Sequence, residues 1–247
     1  MRYAILSDIH ANLEALEAVL GQIAGLGVDQ IISLGDLVGY NADPNECVRI
    51  VVEGKIPTLM GNHDAAACGL EEPVDFNPIA RAAILWTRNA LTARSREFLR
   101  SLPDERRLPG SVRVRLVHGS LLHRDHYLLS RRDVLENVRR MRSDPQGARI
   151  LFFGHTHHQV AFRARDEDAS VIESSRFEIS EDGYYLINPG SVGQPRDRDP
   201  RASFIVYDQE RRSVEVIRVQ YRVADCSRKI LAAGLPRELA ARLSEGW

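Results

Sequence analysis

The chain has 247 residues, with 33 basic and 34 acidic side chains, a formal net charge of −1, and 44% hydrophobic and 27% charged residues. That length can bury a substantial core, and the near-neutral charge provides no global field to draw in nucleic acid or an anionic membrane. Cys47, Cys68 and Cys226 are odd in number and form no CxxC pair, so neither a disulfide framework nor a zinc-thiolate site is indicated. No apolar run approaches the ~18 residues of a membrane span. Met1 to Leu6 runs directly into Asp8 and His10 without a signal-peptide core, so the expectation is one cytoplasmic domain over residues 1–247.

In chain order, Tyr3 to Leu6 reads as a strand, and Leu13, Leu16, Leu20 and Ile23 fall on one face of a helix that Gly25 and Gly27 end. Glu14 and Glu17 are left to the opposite face. Gly25-Leu26-Gly27 follows a helix, so it is not a dinucleotide fingerprint, which must follow a strand and open a helix. Ile31 to Leu34 gives a second strand, Pro44 opens a helix that Gly54 stops, and Ile56 to Met60 gives a third strand. Pro78 to Leu91 and Ser95 to Leu102 read as helices, the first with Ile79, Ala83 and Trp86 as its core face.

Val112 to Leu116 alternates with period two. A histidine-rich loop, Ser120 to Ser130, leads to a basic helix from Asp133 to Arg142. Mostly strand follows: Ile150 to Phe153, Val160 to Ala164, Val171 to Ile179, Tyr184 to Ile187, Ser203 to Tyr207 and Val214 to Val219. Leu231 to Leu243 closes the chain as a helix, and Arg163 to Glu173 and Pro195 to Arg201 are charged enough for exposed loops. Strand–helix alternation followed by consecutive strands implies an α/β fold, a four-layer α/β/β/α sandwich of two mixed sheets flanked by helices.

Chemistry gathers where the apolar runs stop. The strand ends deliver Asp8 and His10, Asp36, Asn62-His63-Asp64, His118, and His155 with His157, and they converge on one site. In an extended segment residues i and i+2 point the same way, so Asp8 with His10, and His155 with His157, each grip an ion from one side. Asp36 can bridge two cations, and Asn62 adds a neutral carbonyl oxygen. Imidazole and oxygen donors without thiolate suit two divalent ions, Mn²⁺ first, with Fe, Zn²⁺ or Ni²⁺ also fitting, and argue against Ca²⁺. Such a pair can hold a bridging hydroxide as nucleophile toward a phosphate ester. His63, not needed in either shell, is free to protonate the leaving oxygen, with Asp64 placed to orient it.

These residues carry a resemblance. Asp8-x-His10, Gly35-Asp36, Gly61-Asn62-His63-Asp64, His118-Gly119 and Gly154-His155-Thr156-His157 resemble, in order, the five motifs of the calcineurin-like metallophosphoesterase superfamily. With Asn188-Pro189-Gly190-Ser191 the resemblance runs from residue 2 to about 193. It implies Asp8, His10, Asp36 and His157 around one metal, Asp36, Asn62, His118 and His155 around the other, and His63 as proton donor. Gly35-Asp36-Leu37-Val38-Gly39-Tyr40 lacks the phosphate-binding arginine that the superfamily's protein phosphatases carry after this motif. The chain is therefore more similar to compact prokaryotic phosphodiesterases.

Any one of these residues alone would read as a helix cap or a satisfied core histidine, but all of them at strand ends do not. His123 and His126, in the loop, are candidates for touching substrate against a simpler role as solvated histidines, and His158 should point away from His157. Arg196 and Arg198 offer bidentate forks for a distal phosphate, with surface ion pairing an equal alternative. The expected partner is a small-molecule phosphoester, of phosphodiester or nucleotide type with dinucleoside polyphosphates included. Phosphomonoester or phosphoprotein hydrolysis, or a non-catalytic scaffold of the same fold, is the alternative. The sequence leaves homo-oligomer formation open.

Overall fold

Alternation in the first strand dictates the layering: Tyr3 and Ile5 enter one apolar cluster, Ala4 and Leu6 another. In the computed structural model, which describes residues 1–247, the elements run β1 (Arg2–Leu6), α1 (Leu13–Ala24), β2 (Gln30–Ser33), α2 (Pro44–Glu53), α3 (Asn62–Cys68), α4 (Pro78–Ala90) and α5 (Ala93–Arg100). Then come β3 (Glu105–Arg107), β4 (Val114–Val117), α6 (Arg131–Arg142), β5 (Ile150–Phe152), β6 (Gln159–Arg165), β7 (Asp168–Val171) and β8 (Arg176–Glu178). The chain finishes with β9 (Tyr184–Pro189), β10 (Ala202–Asp208), β11 (Ser213–Val219), α7 (Val223–Ala232) and α8 (Arg237–Glu245).

The strands form two mixed sheets, one in the order β2-β1-β10-β11-β8 and the other β3-β4-β5-β9-β6-β7. Ile5, Ile32 and Ile205 of the first sheet meet Leu116, Phe152 and Ile187 of the second between the layers. The outer face of the first sheet packs Ala4, Leu6 and Phe204 on Leu16, Val19 and Val51 of α1 and α2. The outer face of the second packs Leu151 and Leu186 on Val134, Val138 and Met141 of α6. This is the expected four-layer sandwich, and no helix is long and apolar enough to cross a membrane.

Several elements differ from the reading of the sequence. Ile56 to Met60 forms a single bridge, Thr58 to Ser33, because Pro57 lacks the N–H that a longer ladder needs. Arg163 to Glu173 is no loop: β6 and β7 pair around a turn where Asp166 has φ 55°. Val171 to Ile179 divides into β7 and β8, which belong to different sheets. The closing helix is two, α7 and α8, because Gly234 takes φ 71° and Pro236 cannot continue α7. Glu14 is buried rather than solvent-facing, since α7 packs on α1 and sets Lys229 2.7 Å from its carboxylate.

Gly193 is where the loop after β9 touches the loop after β1. It donates its N–H to Asp8 O at 2.8 Å, and a Cβ on it would lie 1.9 Å from Ile9 O. We expect Gly193→Ala to lower unfolding stability by about 1–3 kcal/mol, as over-packing does. Gly21→Ala, in α1 with open space around it, should gain roughly 0.5–1 kcal/mol. Urea denaturation of both variants checks the pair.

Candidate metal centre

The two sheets contribute different donors. The loop after β1 brings Asp8 and His10 and the loop after β2 brings Asp36, knitted together by Asp8 N–H to Gly35 O (3.1 Å) and His10 N–H to Asp36 O (2.8 Å). His118 follows β4, and His155 and His157 follow β5. Asp8, His10, Asp36 and His157 form one buried group and Asp36, His118 and His155 a second, ligand atoms in each lying within 4.8 Å of one another. Asn62 Oδ1 approaches His118 Nε2 at 3.2 Å, beside the second group. Histidines 155 and 157 therefore do not share an ion position, contrary to the i, i+2 argument. The backbone there is kinked and not extended: Asp8, His10, Asp36, His155 and His157 all have φ between 48° and 64°.

The outer nitrogens of the rings fix their tautomers. Nδ1 of His10, His118 and His157 lies 3.1, 3.0 and 2.6 Å from the carbonyl oxygens of Val38, Leu34 and Gln194. A carbonyl only accepts, so each Nδ1 donates, and Nε2 of His10 and His157 presents a lone pair inward, while Nε2 of His118 faces the oxygens of Asn62 and Asp36. His10 Nε2 and His157 Nε2 then face each other at 3.0 Å. Burial lowers His10 to about 4 and depresses His157, so neither ring takes a proton near neutrality. Asp36 Oδ2, buried and without a hydrogen-bond partner, lies 3.5 Å from His10 Nε2 and 3.4 Å from His118 Nε2. For metal–nitrogen bonds of about 2.1 Å, a tetrahedral shell separates neighbouring donors by about 3.4 Å. Converging lone pairs at this spacing, with an orphaned carboxylate oxygen between the two groups, fit two divalent cations.

Asp36 is exact in its seat because Gly61 has no side chain: a Cβ there would fall 2.0 Å from Asp36 Oδ1, which accepts the His63 N–H at 2.9 Å. Burial disfavours the charge on Asp36, but His118, His63 and His10 outweigh it and hold the carboxyl well below the usual range. Burial likewise opposes charge on His118, yet Asp36, Asp8 and Asp64 raise it to about 9 in the metal-free chain.

The sequence matches the calcineurin-like phosphoesterase superfamily domain over residues 1–212. The chain belongs to that superfamily. It is 36% identical over 245 residues to an uncharacterized protein of Methanocaldococcus jannaschii, covering 98% of this chain and 97% of the relative. The crystal structure of a metallophosphoesterase from Sphaerobacter thermophilus is similar with a TM-score of 0.84 and 40% identity, each chain covered completely. A hypothetical protein from Pyrococcus horikoshii shares the fold at a TM-score of 0.80 and 20% identity, covering 100% of this chain and 98% of that one.

In this phosphoesterase His63 lies in the first turn of α3, and its ring meets those of His10, Tyr40 and Phe76 at 4.7, 4.4 and 4.9 Å. Its Nδ1 is buried without a partner. Asp64 makes no hydrogen bond to it. Its carboxylate instead accepts the N–H groups of Gly61 and Val38, both at 3.1 Å, bracing the loops under Asp36. The orienting role expected of Asp64 is thus corrected to a backbone one.

Arg196 donates to Tyr40 Oη at 3.0 Å, at the edge of the histidine cluster. Arg198 turns away to the Trp247 ring, 5.1 Å from its centroid. His123 is 68% exposed at its side chain, and His158 is exposed. Two site residues stand outside the motifs: Tyr40, whose ring tilts against His10 at 4.6 Å, and Tyr127, which lies 4.1 Å from the His155 ring. Gly39-Tyr40 directly after a strand-end Asp was the only hint of the first; nothing local marks the second.

Ion binding must displace the His118 proton below about pH 9, so affinity should rise with pH up to that value and level off above it. In the metal-free chain the sign is opposite for stability: the raised His118 contributes fully below its ordinary value near 6.5 and loses its contribution as pH climbs through about 9. Mn²⁺ at about 100 times its dissociation constant should stabilise the wild type by about 2.7 kcal/mol per site. Asp36→Asn, which removes the shared donor, should lose most of that shift and its activity. Thermal melts with and without Mn²⁺ across pH check both statements, and an active Asp36→Asn protein with full metal content would contradict them.

Proposed function

We propose that the chain, acting as one domain, hydrolyses phosphodiesters of nucleotide type, with dinucleoside polyphosphates in range. It would do so with two divalent ions, Mn²⁺ first among them, held by Asp8, His10, Asp36 and His157 and by Asp36, Asn62, His118 and His155. Arg196 carries this reading: its half-buried guanidinium donates to the neutral oxygens of Tyr40 and Gln194 and forms no ion pair, though Asp8 lies close enough to support its charge. A cation half withdrawn from water without a direct ion pair invites an anion, and a guanidinium fork matches two phosphoryl oxygens. On this reading it would take the role of the arginine that is absent after Gly35-Asp36. Bound ions would supply Lewis acidity toward the phosphoryl oxygens and an activated water as nucleophile.

The residues of the chain do the rest. Arg196 orients the phosphoryl group, and Asp64 and Gly61 hold Asp36 in register beneath it. Phe76 on the His63 flank and Tyr127 on the His155 flank offer apolar surface to an organic substituent at each side, which suits a diester better than a simple monoester. His63 gives a proton to the leaving oxygen. Burial lowers its pKa in the free protein, and the negative phosphoryl group arriving beside it raises it again.

With Mn²⁺ present, bis-p-nitrophenyl phosphate and diadenosine tetraphosphate should be hydrolysed faster than p-nitrophenyl phosphate or a phosphopeptide. Arg196→Ala should lower kcat/KM by about 10- to 100-fold, the scale of one lost charge-assisted hydrogen bond. Preference for the phosphopeptide would overturn the substrate class.

His63→Ala should keep both ions while kcat falls by ~10²–10⁴, as for a lost general acid. The loss should be smaller for an aryl diester, whose phenolate leaves without a proton, than for a nucleotide diester with an alkoxide leaving group. Equal losses would reassign His63 to stabilising phosphoryl charge, and loss of metal would make it a ligand.

A further inference from the structure

The two candidate ion positions are braced differently. His10, His118 and His157 donate to carbonyls of Val38, Leu34 and Gln194, all fully buried. His155 instead places Nε2 3.2 Å from Asp125 O, on a surface loop where the Asp125 side chain is 43% exposed. That carbonyl accepts, so Nε2 carries the proton and Nδ1 is turned inward toward Asp36 and His118. The orientation of one donor in the second group therefore depends on where the loop sits.

Arg124 ties the loop down. Its side chain is only 13% exposed and forms ion pairs with Glu71, beyond α3, and with Asp104, ahead of β3. Gly119 lets the loop fold this closely, since a Cβ there would strike Arg124 O and stand 3.0 Å from His126 O. Resting on the two-ion reading above, we propose that Arg124 is a positioning residue for the second ion: through Glu71 and Asp104 it fixes the Asp125 carbonyl that orients His155. Affinity at the second position then depends in part on a surface latch, through His155, while the first position rests on the buried core alone.

Chelator-stripped protein titrated with Mn²⁺ in a calorimeter separates the two positions. The wild type should take up two ions, and Arg124→Ala should weaken one binding event by about 10- to 100-fold, the usual cost of a lost supporting contact, while leaving the other unchanged. Glu71→Gln combined with Asp104→Asn should do the same with Arg124 in place, and Arg124→Lys should recover part of the loss. Both events unchanged, or both weakened equally in variants with wild-type circular dichroism, would overturn the latch alone. A wild-type chain that binds a single ion would overturn the two-ion reading and the latch with it.

Discussion

Two imidazole nitrogens face each other at 3.0 Å with their ring protons committed to backbone carbonyls elsewhere. In a buried setting that contact is repulsive unless a cation stands between the lone pairs, and the surrounding structure is arranged to hold it nonetheless. Val38 and Gln194, which receive those protons, come from the loops after β2 and β9, so each ring is fixed within its own sheet and the two nitrogens meet only when the sheets pack together. Asp36, with one oxygen on the α3 backbone and one facing both donor groups, is the hinge of the arrangement.

Holding donors this way strains the backbone. Each of the five donor residues with positive φ sits where non-glycine residues cost of order 1–3 kcal/mol. Tertiary contacts offset this: Ser191 Oγ and Gly193 N–H bind Asp8 O, Asn188 Nδ2 reaches Gly154 O and Thr156 Oγ1, and Asn41 Nδ2 reaches His10 O. At His155 and His157 the strain sends to different donor groups two side chains that a pleated strand would aim the same way.

The layers were legible because each core strand alternates between two apolar clusters, as Ile150, Leu151 and Phe152 do. The identity of the donors was legible for a different reason: Asp and His directly behind an apolar run have no packing role. Their conformation was not, because a left-handed φ at His155 or His157 leaves no mark in residue type. β3, Glu-Arg-Arg, was invisible because it is an edge strand held by backbone pairing with no apolar face of its own. Asp64 was misassigned because adjacency to His63 in the chain was taken for adjacency in space, whereas one helical step turns the two side chains about 100° apart. Arg196 lies 160 residues from Asp36, and only the folded chain brings its guanidinium to the site.

The bond from Ser191 to Asp8 spans 183 residues, and the ring of His157 waits on the carbonyl of Gln194. A ribosome making this chain releases Asp8, His10 and Asp36 long before the segment that braces them exists. Contacts of such high sequence separation form late, after their loop-closure entropy has been met. The nascent N-terminal half therefore carries donor side chains without a preorganised shell until the loop after β9 closes on the loops after β1 and β5. A preorganised donor shell in this centre therefore requires that the chain through Gln194 has been made and correctly paired.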